Sequence, residues 1–533
     1  MTTKGIKGLM AGAALMGCGV VAGAQAFRVQ CPTTTSMHPA AGAGSPTGLA
    51  YTGPLTIHDT GTGGTGLDYV SNGGQIQCQQ VSGGDGFATM ADGTQIYMFA
   101  FGPLSGLANV ANGLPGTMPP AMFNVMPLSP LAPGAPGVPI NAYNGAVGLA
   151  YEPGMTTLTG HIDPRPVMDV GVMNGNQPAP LMAIDEDDEF FLTLSNVGMI
   201  MRPDLFEQHT IHFHGYPNAS SVYDGVPDAS VAINIGGSMT YYYLAPDAGT
   251  YFWHCHITPP EHLQMGMVGQ LYVRPRQNRV PANGLLYASL QLQQNDLRTA
   301  SKCSNDILCS TPLPVANTVT HVNNKSGSPT FYAYNDGDGS TAYDVEYPLQ
   351  IHGFDPNFHF VGMTFNPEGF ADMKDKYFLL NGRSYPDTVQ PGTMQTPASD
   401  GLMRDSQPLP SIINIPAGGR ALLRISDLDV SEFQTLASLG LPMRVIAQNV
   451  RLLRDEAGNN MYYTTNSVTL GGGESIDVIL DASGFAPPGT VIPKFYLYTP
   501  NLDHLSNDAE NFGGLMTEVN VCNAVDPVTK ACS

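Results

Sequence analysis

The 533-residue chain predicts an all-β protein: two β-sandwiches in tandem behind an N-terminal extension. Three observations predict it. Gly (61) and Pro (44) are frequent. The apolar runs are short and rich in β-branched and aromatic residues, and Gly, Pro and Asp interrupt them at strand-like intervals. The length is enough for two separate cores.

In chain order, residues 1–26 predict an export signal. Lys4 and Lys7 precede a small, apolar stretch, and Ala24-Gln25-Ala26 has the form of a cleavage site. A lipoprotein signal ending at Cys18 is the alternative, although Met16 suits such a site poorly. Residues 27–87 are rich in Gly, Thr and Ser and predict the N-terminal extension. The first sandwich is expected over 88–279, with a Pro/Gly-rich excursion at 105–160. Its strands are read in "AIDEDDEFFLTL", "HTIHFHG", "SMTYYYL", "GTYFWHCH" and "GMVGQLYV". Pro275 and Pro281 mark the boundary to a second sandwich over 280–521, with strands in "KYFLLNG", "GRALLRISDL", "LPMRVIAQNVRLL" and "ESIDVILDAS". Residues 318–345 read as a loop region and 430–439 as a short helix. Residues 522–533 form a tail. No segment after the signal has the length of apolar residues that a membrane span needs.

The formal net charge is −22. That argues against nucleic acid, whose phosphates need positive charge, and allows cationic or basic redox partners. Export also changes how the eight cysteines read. Setting aside Cys18 and Cys255, six remain, which permits three disulfides in an oxidising compartment. Proximity suggests Cys303–Cys309 and Cys522–Cys532, leaving Cys31–Cys78.

The chemistry is concentrated in one stretch. Six of the 13 histidines and the single tryptophan, Trp253, lie within 209–262. Side chains on a strand alternate faces. His212 and His214 therefore share a face, as do His254 and His256, while Cys255 points the other way. His209, an odd step from His212, can join Cys255. His262 and Met267 can close a loop back on that sulfur. Two imidazoles, one thiolate and a weak thioether are the ligand set of a blue (type 1) copper centre. The four imidazoles of the opposite face predict a second copper site. Structural zinc would be expected to use paired cysteines, which are absent. A nucleophilic Cys255 would be expected beside one oriented base. A plain polar strand face would not need this density of histidine.

"HTIHFHG" (209–215) and "YFWHCHITPPEHLQMGM" (251–267) resemble the copper-binding segments of the multicopper oxidases. The resemblance implies cupredoxin-like Greek-key sandwiches. It also implies type 1 copper on His209, Cys255, His262 and Met267, and cluster copper on His212, His214, His254 and His256. "YDGVP" (223–227) resembles the connection between these segments. It makes Asp224 a candidate acid for delivering protons, or simply a turn residue before Gly225. The weaker likeness of 376–387 and 471–483 is to the family's non-copper middle domain. The Cys255–His262 interval is two residues longer than the usual laccase spacing and is similar to that of copper nitrite reductases.

One departure matters. The family's trinuclear cluster takes eight histidines, four from each of two domains, and the second half here has no His-x-His pair. Gln350 stands where the first of such a pair would be. His352 is the expected extra ligand at a domain or subunit interface. A segment with His504 and Met516 is similar to a degenerate copper loop. The resemblance therefore implies an oxidoreductase that takes single electrons at type 1 copper and passes them to a second copper site, with oxygen as acceptor. A nitrite-reductase-like enzyme and a non-enzymatic copper electron carrier are the alternatives. Donors open to it are a small molecule, a metal ion or a small redox protein. Two-domain relatives form homotrimers.

Overall fold

The computed structural model describes residues 28–35, 38, 74–125, 143–215, 220–245, 247–294, 312–323, 330–363, 369–485 and 493–533. The expected export signal, His58, Cys303 and Cys309 lie outside the described residues. Among those described, no helix is long and apolar enough to cross a membrane.

Two β-sandwiches account for most of the structure. The first sandwich has a sheet in the order β2 (Gln95–Pro103), β1 (Ile76–Thr89), β4 (Glu189–Gly198), β6 (Ser238–Leu244). Its second sheet runs β3 (Met182–Asp185), β8 (Val268–Arg274), β7 (Gly249–His254), β5 (His212–Phe213). Alternate residues of β4, Phe190, Leu192 and Leu194, face a core shared with Phe99, Tyr241, Trp253 and Leu271. Phe191, on the other face of β4, lies under a smaller cluster with Cys31, Cys78 and Phe123. Both faces of β4 are thus covered, and every residue of the strand, polar ones included, is buried.

The expected extension ended at 87, and that border falls inside β1. The 14-residue strand pairs antiparallel with β2 and parallel with β4. It was hard to read because its middle, Val-Ser-Gly-Gly-Asp-Gly, has no apolar run. The glycines are there for close approach. A Cβ on Gly83 would come within 2.7 Å of the His209 ring, and one on Gly84 within 2.8 Å of Val197.

In the second sandwich the large sheet contains β14 (Met443–Gln448), β16 (Glu474–Asp481), β12 (Arg420–Asp427), β9 (Val345–Phe354) and β10 (Tyr377–Leu380), in that order, with short strands at its edges. The facing sheet runs β11 (Ile413–Pro416), β18 (Met516–Cys522), β17 (Lys494–Tyr498), β13 (Gln434–Leu439), β15 (Ser467–Leu470). Ile351, Leu423, Ile425, Val445, Val478 and Val519 fill the space between. The helix expected at 430–439 is instead strand β13. Its Leu436 is fully buried and the strand pairs on both sides, so sheet pairing outweighs a weak local preference.

The sandwiches meet face to face. Gln270 on β8 donates to the Arg424 carbonyl (2.9 Å) and Ser426 Oγ (3.0 Å), and Thr250 on β7 donates to Asp477 (2.6 Å). At the chain crossing, buried Arg276 and its neighbour Arg279 both donate to Asp187, at 2.8 and 2.6 Å. Disulfides Cys31–Cys78 and Cys522–Cys532 are formed, and Cys255 is a free, buried thiol.

Candidate metal centre

Strand β7 sorts its side chains by parity. Tyr251, Trp253 and the following Cys255 turn into the core of the first sandwich. Thr250 and Phe252 turn toward the second sandwich, and His254 shares their face. β5 pairs with β7 so that His212 sits opposite His254.

On the core side, three ligand atoms of His209, Cys255 and His262 lie within 4.8 Å of one another. Cys255 Sγ is 3.2 Å from His262 Nδ1 and 3.8 Å from His209 Nδ1, and it accepts the Thr210 N–H at 3.4 Å. His209 is anchored by a two-way backbone bridge to Ile233. His262 belongs to helix α1 (Pro259–Gln264), which begins with two prolines after left-handed Thr258. This helix takes up the longer Cys255–His262 interval. Met267 closes the loop: its N–H donates to the His262 carbonyl (2.8 Å), and its own carbonyl accepts the Cys255 N–H (3.2 Å). Its side chain is fully buried in the same cluster as Cys255.

Burial opposes ionisation of the Cys255 thiol, but His262 and His209 beside it hold it well below its usual range. Burial likewise works against a charged His262, yet the sulfur lifts it to about 10. Glu207, 3.6 Å from His262 Nε2 and half-buried, is held below the usual carboxylate range by that ring. Both Nδ1 atoms face a sulfur rather than a carbonyl. A soft thiolate between two imidazoles fits copper better than a hard cation.

The opposite face gathers His212, His214 and His254, whose ligand atoms also lie within 4.8 Å of one another. His212 Nδ1 donates to the Asp224 carbonyl (2.6 Å) and His254 Nδ1 to the Cys255 carbonyl (2.7 Å). Those bonds set the tautomer and leave each Nε2 with its lone pair. His214 Nε2 and His254 Nε2 are 3.0 Å apart. Burial, helped by the neighbouring rings, lowers His214 to about 4 and His254 to about 3. They therefore stay neutral, as metal ligation requires. The His256 ring centre lies 5.0 Å from that of His212 and 5.6 Å from that of His254, beside the triad. The Asp224 carboxylate is 3.7 Å from His212 Nδ1.

A cavity of about 400 Å³ opens onto this face. The first sandwich contributes His214, His254, Pro259, Pro260 and Leu263 to it. The second contributes Leu428, Asp429, Val430, Glu432 and Phe433, together with the glycines 471–473. A Cβ on Gly473 would stand 3.8 Å from the His214 ring.

His352 is brought to neither group. It is buried on β9, and its Nδ1 donates to the Leu428 carbonyl at 3.0 Å. The partly copper-like sequence around it builds an interior strand of the large sheet rather than a ligand loop. His504 is likewise engaged: its nitrogens meet Gln434 (2.9 Å) and Glu432 (2.8 Å), and its ring stacks on Phe378 at 3.9 Å. Sequence reasoning missed Glu207, Thr210 and the wall at 428–433. Thr210 could have been found, since it sits inside the histidine motif. Its N–H reaches the sulfur and its Oγ1 accepts the His256 N–H at 3.0 Å. The wall had no local signal, because it comes from the other sandwich.

The multicopper oxidase family model matches residues 156–278. Laccase abr2 of Aspergillus fumigatus is 34% identical over 109 residues, covering 20% of this chain and 17% of its own length. A copper-containing nitrite reductase of Rhizobium meliloti is 34% identical over 116 residues, 21% of this chain and 27% of its own. The chain thus spans about a sixth to a quarter of these relatives' lengths. Among solved structures, a blue copper oxidase from Nitrosomonas europaea aligns over 83% of this chain and 85% of its own, at 18% identity and a TM-score of 0.46.

Proposed function

We propose, because residues 156–278 match the multicopper oxidase family model, that this protein is a copper-dependent oxidoreductase passing single electrons from a donor to oxygen. The observation that supports this best is the parity of one tripeptide. Cys255 faces His209 and His262, while His254 faces His212 and His214. Bound copper would supply reversible one-electron chemistry at both places. His209, Cys255, His262 and Met267 would hold the type 1 copper, and His212, His214 and His254, with His256 beside them, the second. The two sites are joined through bonds of Cys255 and His254, and the His254 Nδ1–H to Cys255 carbonyl contact at 2.7 Å shortens the path. Asp224, half-buried beside His212, is placed to hand a proton to that face.

The donor is a small molecule, a metal ion or a small redox protein. The net charge of −22 favours cationic donors, and Glu207 beside His262 gives them an acidic edge. For the acceptor, the residues lining the cavity include Asp429 and Glu432 and neither Lys nor Arg. That charge pattern disfavours an anion such as nitrite and supports an uncharged acceptor such as oxygen. Export is part of the same reading, supported by the residues at 1–26 and by two disulfides. A homotrimer, checked by native mass, would add contacts away from the cavity, because this chain's own second sandwich already lines it.

The test is spectroscopic. Copper-loaded protein is expected to show a thiolate-to-copper blue absorption that a one-electron donor bleaches without oxygen. Admitting oxygen should restore the colour, and nitrite should not. Stoichiometric copper without blue absorption would end the reading, and recovery with nitrite alone would move it to the reductase.

A further inference from the structure

The family's cluster demands imidazoles from two domains, and the surroundings of the other described histidines argue against that arrangement. His38 bonds to Glu189 (2.5 Å) and His321 to the Val280 and Thr330 carbonyls (2.5 and 2.9 Å). His359 bonds to the Tyr97 and Gln264 carbonyls (2.5 and 2.9 Å). His504 is held by Gln434 and Glu432, and exposed His161 belongs to a separate surface cavity beside Arg28. His352 keeps a buried Nε2 without a hydrogen-bond partner, but its ring is tied to Leu428 and is absent from the group formed by the triad. Where a partner domain would present imidazoles, the second sandwich presents Leu428, Asp429, Val430 and glycines 471–473. Asp429 is itself occupied, accepting from the Ser431 and Glu432 N–H groups and from Gln434 Nε2.

We infer that the second site is built wholly by the first sandwich and holds a single metal ion on His212, His214 and His254, with its open position toward the cavity between the sandwiches. Three imidazoles whose ligand atoms lie within 4.8 Å of one another suit one ion of borderline softness, and copper is the match for nitrogen ligands without thiolate. Two of the three rings have their distal nitrogens tied to backbone carbonyls, as ligating histidines do. The second sandwich's share of the cavity lining carries no imidazole, and its Gly471–Gly473 turn stands across from His214. His256 stands beside the triad and is not required by it.

This inference rests on the proposed function, and its test separates the two. Full-length protein loaded with copper and freed of excess should contain two coppers per chain. All of it should be visible by electron paramagnetic resonance, as one type 1 and one ordinary tetragonal signal. His214→Ala should lower the count from two to one with the blue band kept, and His214→Gln serves if the alanine variant does not fold. His256→Ala and His352→Ala should keep two. Three or four coppers per chain, a resonance-silent coupled pair, or loss of copper on replacing His256 or His352 would overturn the single-ion site while a blue band left the oxidoreductase reading standing. Loss of the blue band in the unaltered protein would instead defeat that reading.

Discussion

The two sandwiches place similar strands around similar apolar cores, yet among the described residues only the first gathers histidine and cysteine ligand atoms together. In the first, the nitrogens of His209 and His262 face a sulfur, and those of His214 and His254 face each other. In the second, His504 faces Gln434 and Glu432, and His352 faces a carbonyl. A histidine whose two nitrogens are both engaged by protein, as those of His504 are, has little to offer a metal. A histidine whose remaining lone pair points at another ligand atom is poised for one. What the second sandwich supplies is a wall: it covers the imidazole face and leaves a cavity lined by apolar and acidic groups.

The largest expected break in that contrast is removal of the sulfur. Cys255→Ser should abolish the blue absorption and electron uptake from a donor, while the imidazole face keeps its copper, as read by visible and resonance spectra. Retention of the blue band would place the thiolate ligand elsewhere.

Next comes the joint between the sandwiches. Arg276→Met leaves Asp187 buried with only Arg279, and should cost about 3–5 kcal/mol in denaturant unfolding. A cost below about 1 kcal/mol would mean the joint does not depend on this pair. His504→Ala removes the ring stacked on Phe378 and strands buried Gln434. It should cost about 1–3 kcal/mol with copper content unchanged. Copper loss would make the second sandwich a metal-binding unit after all.

The last effect is a pH dependence in the first sandwich that is independent of metal. Burial raises Asp85 from 3.8 to about 6, against donation from the Met201 N–H and Tyr97 OH. A carboxyl raised in the folded state adds stability at low pH, and the advantage disappears as pH rises from about 4 through about 6. Asp85→Asn keeps one acceptor for both donors. It should therefore be the more stable form at pH 8, by up to about 3 kcal/mol, and show little gain at pH 3. Equal gains at both pH values would show that Asp85 does not ionise over this range.

The histidine motifs were legible because strand parity is a local rule. Cys255, flanked by His254 and His256, has no freedom to share their face on a strand, and His209 falls on the sulfur side by the same counting. β1 was less legible. Its glycines look like a linker until His209 and Val197 are seen pressing against them. Strand β13 was read as a helix because its pairing partners, β15 and β17, lie about 30 and 60 residues further along the chain.

The amino-acid sequence by itself determined the class of fold, the position of the thiolate and the set of imidazoles on each side of it, because those follow from residue type and a two-residue period. Only the tertiary structure decided which histidines outside the motifs are already satisfied and what faces the imidazoles across the cavity. Those depend on residues more than a hundred positions apart coming together, such as His214 and Gly473 lining one cavity, and no local pattern encodes them.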